Sequence, residues 1–506
     1  MEIELKLVFD PQAARDIARS PLLRESQRSR PVTRTLHSIY FDTPDASLAA
    51  AGMALRIRRS GRRWIQTFKC GGGVDSGLHR REEYEAPAPA GILNLPALAD
   101  TPVAAMLSKA DFIDHLQPVF VTRFRRTTRD VEIHPGQMAE FAMDLGEVMA
   151  GERRAPINEV EIELRNGNVR HLVEFARRLA LEVDLRLENV SKAQRGYQLL
   201  SRAEVMPLRA GTPALHPDMS ATDALRTIVE SCLTQLQGNE AGVLHSADPE
   251  YIHQARVAVR RLRSAFSLFR PLVPREHVIR VMDPLRKLGL SLGQARDWDV
   301  FASTTLPPVQ EALGPDGSAL DGLAARAASR REEAREHARA ALSPRLYTPL
   351  LLDVALLMHE APWQADPQNP SAVPPLIGAI APVLLRRQWR RVHKAGRTAD
   401  RTDDASLHAL RIEIKKLRYA LEFFTSLYPR KNVKALAAGC AELQEILGFL
   451  NDEAVCVRLL AALNSDDAPL SHGTGIIRGW ARARALTALD HFDSAWHRFA
   501  KLKPFW

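Results

Sequence analysis

The sequence predicts a β-rich α+β domain followed by an all-α domain built from two similar halves. Three observations carry this. Apolar and polar residues alternate with period two over much of the first 200 residues, the mark of half-buried strands. After Ser220 the spacing becomes helical almost throughout. Within the helical part, His253–Val300 superimposes on His408–Val455 at a constant offset of 155 without a gap. His253 meets His408, Arg256 meets Arg411, and Arg260-Arg261-Leu262-Arg263 meets Lys415-Lys416-Leu417-Arg418. Further on, Leu292-Gly293 meets Leu447-Gly448 and Asp297 meets Asp452, so two copies of one bundle are expected.

The elements follow in order. Strands are predicted at Glu2–Val8, Ala54–Arg59, Trp64–Lys69, Arg81–Glu85, Glu140–Asp144 and Glu159–Leu164. Turn chemistry at Cys70-Gly-Gly-Gly-Val-Asp-Ser-Gly77 and His134-Pro-Gly136 separates some of them. Helices are predicted at Pro11–Ala18, Val103–Ala110 and Val169–Ala180. Residues 205–219 hold three prolines and little periodicity and read as a linker. A second Pro-rich break, Pro362–Pro375, divides the helical part into halves of about 220–361 and 376–506.

Composition narrows the function. Lys and Arg number 69 against 60 Asp and Glu, a net charge of +9, which points to anionic partners. Residues 1–205 carry 30 basic and 28 acidic side chains, so most of the excess lies in the helical part. Four scattered cysteines contain no Cys-x-x-Cys pair and support neither a zinc module nor a disulfide framework. A reducing cytoplasm is expected. The N-terminus MEIELKLVFD is acidic where a signal peptide is basic and then apolar, and no membrane span is expected.

Residues two apart on a strand share a face. Glu2, Glu4 and Lys6 therefore share one, as do Arg56 and Arg58, Thr67 and Lys69, Arg81, Glu83 and Glu85, Glu140 and Asp144, and Glu159, Glu161 and Glu163. Leu5, Leu7, Val160, Ile162 and Leu164 point the other way. A solvated sheet face explains any one such strand. Recurrence on six strands suggests instead a sheet closed with its charge inward, and such a lumen needs an occupant because unpaired buried charge is costly. Carboxylates that hold a hard divalent cation, beside cations that hold phosphate oxygens, suit a metal–phosphate complex.

Glu2-Ile-Glu4-Leu-Lys6 resembles the E-x-E-x-K signature of the CYTH domain, the triphosphate tunnel metalloenzymes. Tyr40-Phe-Asp-Thr-Pro44, Leu55-Arg-Ile-Arg58, Thr67-Phe-Lys69, Arg81-Glu-Glu83-Tyr-Glu85, Met143-Asp144-Leu-Gly146, Glu159-Val-Glu161-Ile-Glu163 and Ser191-Lys192-Ala-Gln-Arg195-Gly-Tyr197 follow in that family's order. The resemblance covers 1–204. It implies an eight-stranded antiparallel tunnel barrel that binds triphosphate with Mg²⁺ or Mn²⁺. Carried over by position, Glu2, Glu4, Asp144, Glu161 and Glu163 are the metal-side acids. Lys6, Arg56, Arg58, Lys69, Arg126, Lys192 and Arg195 grip phosphates, and Glu83 and Glu85 join Glu2, Glu4 and Lys6 in the reacting lumen.

In the helical part, about 100° per residue places Arg256, Arg260 and Arg263 within roughly 80° of His253 on one stripe. The repeat copies it as His408, Arg411, Lys415 and Arg418. A solvated basic face is the ordinary explanation. Few acids compensate the stripe, however, and it occurs twice at matched positions, which favours a polyanion site. Asp297, Asp299 and Asp452 are placed to pair with some of the arginines and fix their direction. His253-x-x-Arg-Val-x-x-Arg-Arg-Leu-Arg263, with Leu292-Gly-x-x-Arg296-Asp-x-Asp299 and the second copy, resembles the CHAD domain over about 220–506. That resemblance implies a pseudosymmetric helical bundle binding inorganic polyphosphate through His253, Arg256, Arg260, Arg261, Arg263, His408, Arg411, Lys415, Lys416 and Arg418.

Two functions follow. One is a metal-dependent inorganic triphosphatase whose helical domain gathers polyphosphate; thiamine triphosphate or ATP are alternative substrates. The other is a polyphosphate-binding protein with weak or no catalysis. A pure binder of polyanion has no use for Glu2, Glu4, Glu161 and Glu163, which favours the enzyme. Nucleic acid is the second choice of ligand for the basic surface, and the lack of an aromatic platform on either stripe argues against it.

Overall fold

The computed structural model describes residues 2–75, 77–108, 110–201, 206–361, 375–463 and 468–506. Contacts divide the chain into two compact units. One holds the residues up to Met206 together with Ser343–Glu360; the other holds Pro207–Leu342 and Ala361–Trp506.

The first unit is an antiparallel barrel. Its strands are β1 (Glu2–Val8), β2 (Val32–Asp42), β3 (Ala54–Ser60), β4 (Arg63–Asp75), β5 (Leu78–Pro87), β6 (Gln117–His134), β7 (Gln137–Ala150), β8 (Arg153–Leu164) and the two-residue β9 (Arg186–Leu187). They run in the order β5-β4-β3-β2-β6-β7-β8-β1, and β1 pairs back to β5, which closes an eight-stranded ring; β9 adds to β1. Closure leaves no sheet edge within that ring to be covered.

Register decides what faces inward. Directly opposite residues share a face, and the ladders set Lys6 against Glu161, Glu4 against Glu163, Lys69 against Glu83 and Arg126 against Asp144. The charged set therefore lines one lumen. The outward set is apolar and covered: Leu5, Leu7, Val160 and Ile162 are fully buried. The helix Val169–Glu182, with Leu172, Phe175, Ala176 and Leu179 buried, touches β1, β6 and β8.

The lumen is not uniform. Toward one rim, the inward residues Leu36, Phe120, Phe124, Val148 and Ile157 form an apolar cluster with Ala193 of the helix Lys192–Leu200. Gly196 lets that helix approach, since a Cβ there would sit 2.3 Å from the Phe120 ring. The Tyr197 hydroxyl donates to buried Asp42 at 2.7 Å, and Asp42 also accepts the backbone N–H groups of Leu48 and Ala49.

Several sequence expectations change. Cys70-Gly-Gly-Gly is not a turn: β4 runs on to Asp75 with a bulge between Cys70 and Gly73. Ser76 lies outside the described residues. His134-Pro-Gly136 does turn the chain between β6 and β7. Strands β2 and β6 were not predicted from alternation. Along β6 the inward side goes from apolar Phe120 and Phe124 to polar Arg126 and Thr128, while the outward side goes from exposed Arg123 to buried Val131, so the pattern inverts midway.

The second unit is helical. The principal helices of its first half are Ala221–Gly238, Pro249–Leu268, Arg275–Val300 and Asp321–Ala341. Those of its second half are Ile377–Arg397, Asp404–Phe423, Arg430–Leu463 and Ala468–Leu489. The expected linker is irregular but packed within this unit: the Leu215 amide donates to Ser426 Oγ at 2.9 Å, and Leu215 is buried. The break Pro362–Pro375 lies, apart from Pro375, outside the described residues. The helix Pro344–Glu360, expected inside the helical domain, groups with the barrel and covers Val169–Glu182. Thr348 Oγ1 donates to the Leu185 carbonyl at 2.5 Å, and Arg177 clasps Asp353 through two bonds.

Candidate functional site

The barrel lumen encloses a cavity of about 270 Å³, at the small end of ligand pockets. Its wall is mostly charged. Glu2 and Glu4 come from β1 and Glu163 from the adjacent β8, Arg56 and Arg58 from β3 across the ring, and Arg126 from β6. Lys6, Lys69, Glu83, Glu85, Glu161 and Lys192 line it as well, as the sequence predicted.

The lysines are pinned by carboxylates. Lys6 Nζ lies 2.6 Å from Glu161 and 3.0 Å from Glu4. Burial works against its charge, but Glu161, Glu4 and Glu159 outweigh that and hold the ammonium well above the usual lysine range. Lys69 lies 2.6 Å from Glu2 and 3.1 Å from Glu83. Lys192 is buried, donates to Glu159 and Glu161 and pairs by charge with Asp144. It is therefore a post that holds these acids in place, and it meets a phosphate only by releasing one of them.

The arginines differ. Arg126 is committed, with two bonds to Asp144 at 2.7–2.8 Å and one to Glu161. Arg56 reaches only the Tyr40 hydroxyl at 3.4 Å and Glu83 at 3.6 Å, and its Nε is buried with no partner among the described residues. Arg58 bonds Ser38 Oγ at 3.3 Å. Burial, and then the facing charges of Arg56 and Arg126, push Arg58 down to about 9. Arg58 therefore carries a charge that its neighbours do not neutralise, so an anion beside it gains strongly, whereas Tyr40 and Glu83 hold Arg56 above its ordinary value.

Glu163 has the reverse imbalance. Burial, opposed by Arg165 and reinforced by Glu2, Glu140 and Glu4, lifts the Glu163 carboxyl to about 7. Hard oxygen donors of this kind suit a divalent cation, and here Glu2 pairs with Lys69, Glu4 with Lys6 and Glu163 with Arg165. A second group, Asp144, Glu159 and Glu161, brings carboxylate oxygens within 4.8 Å of one another and is buried. Lys192 and Arg126 already neutralise that group.

Some expected residues fall elsewhere. Arg195 is off the cavity wall and pairs with Glu159 and Glu188, each at 3.2 Å. Asp144 lies behind the wall, fully buried between Arg126 and Lys192. The wall also includes Tyr40, Glu140 and Arg165, which the sequence did not single out as site residues. Their inward register on β2 and β7, and the continuation of β8, was the available signal.

In the helical unit, the two basic stripes meet. His253, Arg256, Arg260 and Arg263 line one groove together with His408, Arg411, Lys415 and Lys416. Cations crowd it. Burial lowers Lys415 first, and Arg411, Arg260, Arg256 and Arg418 add to this, bringing it to about 7. Arg260 donates to the Tyr419 hydroxyl and Arg411 to Asn451 Oδ1 at 3.0 Å. Asp297 takes Arg256 at 3.4 Å, whereas Asp299 turns away to Arg331 and Arg335.

Two predicted groove residues are not in it. Arg261 is 1% exposed; it donates to Gln235 Oε1 at 2.9 Å and the Gly211 carbonyl at 3.1 Å, and lies over the Phe423 ring. One residue past Arg260 is about 100° around the helix, which turns it into the core. Arg418 is off the groove wall, beside Glu422 at 3.2 Å and over the Tyr419 ring.

The closed barrel with its charged lumen and the helical unit with its doubled basic stripe define a two-domain class of protein, and comparison with known proteins names both domains. Residues 1–197 match the CYTH domain and 227–461 the CHAD domain, so the chain belongs to the proteins that join these two domains. An inorganic triphosphatase of Haemophilus influenzae is 38% identical over 211 residues, 40% of this chain and 55% of that protein, so the chain spans about half the length of this curated relative. An uncharacterized protein of Mycobacterium tuberculosis is 27% identical over 425 residues, 76% of this chain and 75% of that one. Among solved structures, the CHAD domain of Ricinus communis matches with a TM-score of 0.52 and 33% identity, covering 59% of this chain and 98% of that one. Among the described residues, no single helix is long and apolar enough to cross a membrane.

Proposed function

We propose that the barrel hydrolyses inorganic triphosphate with a divalent cation, Mg²⁺ or Mn²⁺, and that the groove of the helical unit holds inorganic polyphosphate. The observation that carries this reading is the mixed lumen: Arg58 on β3, pushed down by burial and by Arg56 and Arg126, and Glu163 on β8, pushed up by burial among Glu2, Glu140 and Glu4. The relative with an assigned triphosphatase activity supports it.

Arg56 and Arg58 receive non-bridging phosphate oxygens through donors that are free or weakly used. Lys6, which donates to Glu161 and pairs by charge with Glu4, adds its remaining donor capacity. Glu2, Glu4 and Glu163 would hold the cation, which when bound would neutralise charge on the phosphate oxygens and lower the pKa of a bound water. Arg126 and Lys192 keep Asp144 and Glu161 ionised and fixed, so the lumen stays organised for a charged transition state. In the groove, cations facing one another across the two copies need an extended anion to relieve them.

A phosphate-release screen over triphosphate, ATP, thiamine triphosphate and polyphosphate, with each cation compared against chelator, tests this. Fastest cation-dependent release from triphosphate is expected; faster release from an organic triphosphate would reassign the substrate, and none from any would leave a binding protein.

A further inference from the structure

A second basic surface lies outside the groove. The helix Ile377–Arg397 carries Arg386, Arg387, Arg390, Arg391, Lys394 and Arg397, all exposed, and contains no acidic residue. None of the six side chains forms an ion pair or hydrogen bond with another described residue; the Lys394 backbone carbonyl accepts from Thr398. At about 100° per residue they fall within an arc of roughly 140°, and their row runs along about 16 Å of helix. Like charges four residues apart destabilise a helix, so the arrangement works against the fold.

The first half of the unit supplies the control. Its corresponding helix, Ala221–Gly238, buries Leu225, Ile228, Val229, Cys232 and Leu236 where this one buries Ala381, Leu384, Leu385, Gln388 and Val392, a constant offset of 156. At the positions matching the six cations stand Glu230, Ser231, Thr234, Gln235, Gly238 and Ala241. The five core positions are thus filled in both halves without a cation at any of the six matching positions, although Gln235 is buried where Arg391 is exposed, so core packing does not require the strip.

We propose that this strip is a second phosphate-polymer site, which binds the part of a long inorganic polyphosphate chain that extends beyond the groove. The inference rests on the groove reading above. The chemistry of the helix favours a ligand recognised by charge alone. Its apolar side is buried in the unit, and its one large aromatic, Trp389, is engaged with Phe499 and Trp506, leaving no platform on which a base stacks. Five of the six cations are arginines, whose forked donors match phosphate oxygens. Two sites on one polymer give avidity that short chains cannot gain.

The test compares the full chain with its Arg386→Gln, Arg390→Gln, Lys394→Gln variant, in chelator, against a short oligophosphate, a long-chain polyphosphate and single-stranded RNA. The variant is expected to bind the short oligophosphate as before and to lose about tenfold or more in long-chain affinity. Its salt slope should become shallower by about one per cation removed. Unchanged long-chain binding, or an equal loss for short and long chains, overturns the strip site, and loss of RNA binding alone reassigns the strip to nucleic acid. The Arg260→Glu, Lys415→Glu variant must weaken the short oligophosphate. If it does not, the groove reading itself has failed, which the strip variant alone would not reveal.

Discussion

Lys6 on β1 and Glu161 on β8 face each other across an antiparallel ladder, Nζ to Oε1 at 2.6 Å, both nearly excluded from solvent. Around this pair the lumen is built: Glu4 forms a second ion pair with Lys6, and Lys192 and Arg126 also take Glu161. Removing one partner of a buried pair strands the other charge. Lys6→Ala leaves Glu4 without its cationic partner and is therefore expected to destabilise the barrel by about 3 kcal/mol or more, and Glu4→Gln in the same chain to recover part of that. Denaturant unfolding of the two single variants and the double variant measures the coupling, and strictly additive losses would show that Lys6 and Glu4 do not act as one.

Arg58 behaves oppositely, because its neighbours Arg56 and Arg126 repel it and burial lowers it to about 9. Replacing it with Met removes a charge the folded state holds at a cost. Arg58→Met is expected to leave Tm unchanged or raise it while phosphate release falls about 100-fold. A fall in Tm together with activity would mark Arg58 as a structural residue.

Polyphosphate binding should depend on pH through Lys415. Its pKa is depressed to about 7 in the free groove by burial and by Arg411, Arg260, Arg256 and Arg418. A bound polyanion raises it again, so binding takes up a proton. Affinity is then fully present below about 7 and declines as pH rises above it. Lys415→Arg keeps its charge and should flatten that decline. Binding curves between about pH 6 and 9 check it, and identical profiles for the two proteins would refute the assignment.

The helix Pro344–Glu360 buries Leu350, Leu351, Leu352, Val354 and Leu357 within the barrel unit. An acid in that surface has no partner and should cost several kcal/mol. Leu351→Asp is expected to lower the melting temperature of the barrel, although the residue is 145 positions beyond Met206 in sequence. An unchanged melting curve would mean that the barrel is complete without this helix.

Charge alternation made the lumen legible. Glu2-x-Glu4-x-Lys6 and Glu159-x-Glu161-x-Glu163 repeat every second residue, and a strand has no other period. The groove was legible because the same stripe occurs twice. Three features were not. Alternation hides β6, because the lumen turns from charged to apolar along its length. Arg260-Arg261-Leu262-Arg263 reads as one basic run, yet adjacent positions on a helix point about 100° apart, and Arg261 ends in the core. The placement of Pro344–Glu360 depends on which surface its apolar face meets, and that is a tertiary contact with no local signature.

The most direct test of the central claim compares Glu4→Ala with the unaltered chain, measuring phosphate release from triphosphate and polyphosphate binding on the same preparations. Release that depends on Mg²⁺ or Mn²⁺ in the unaltered chain and is abolished in the variant, with polyphosphate binding intact, is the predicted result. Release that survives the substitution, or loss of both properties together, would contradict an acid-lined catalytic lumen separate from the basic groove.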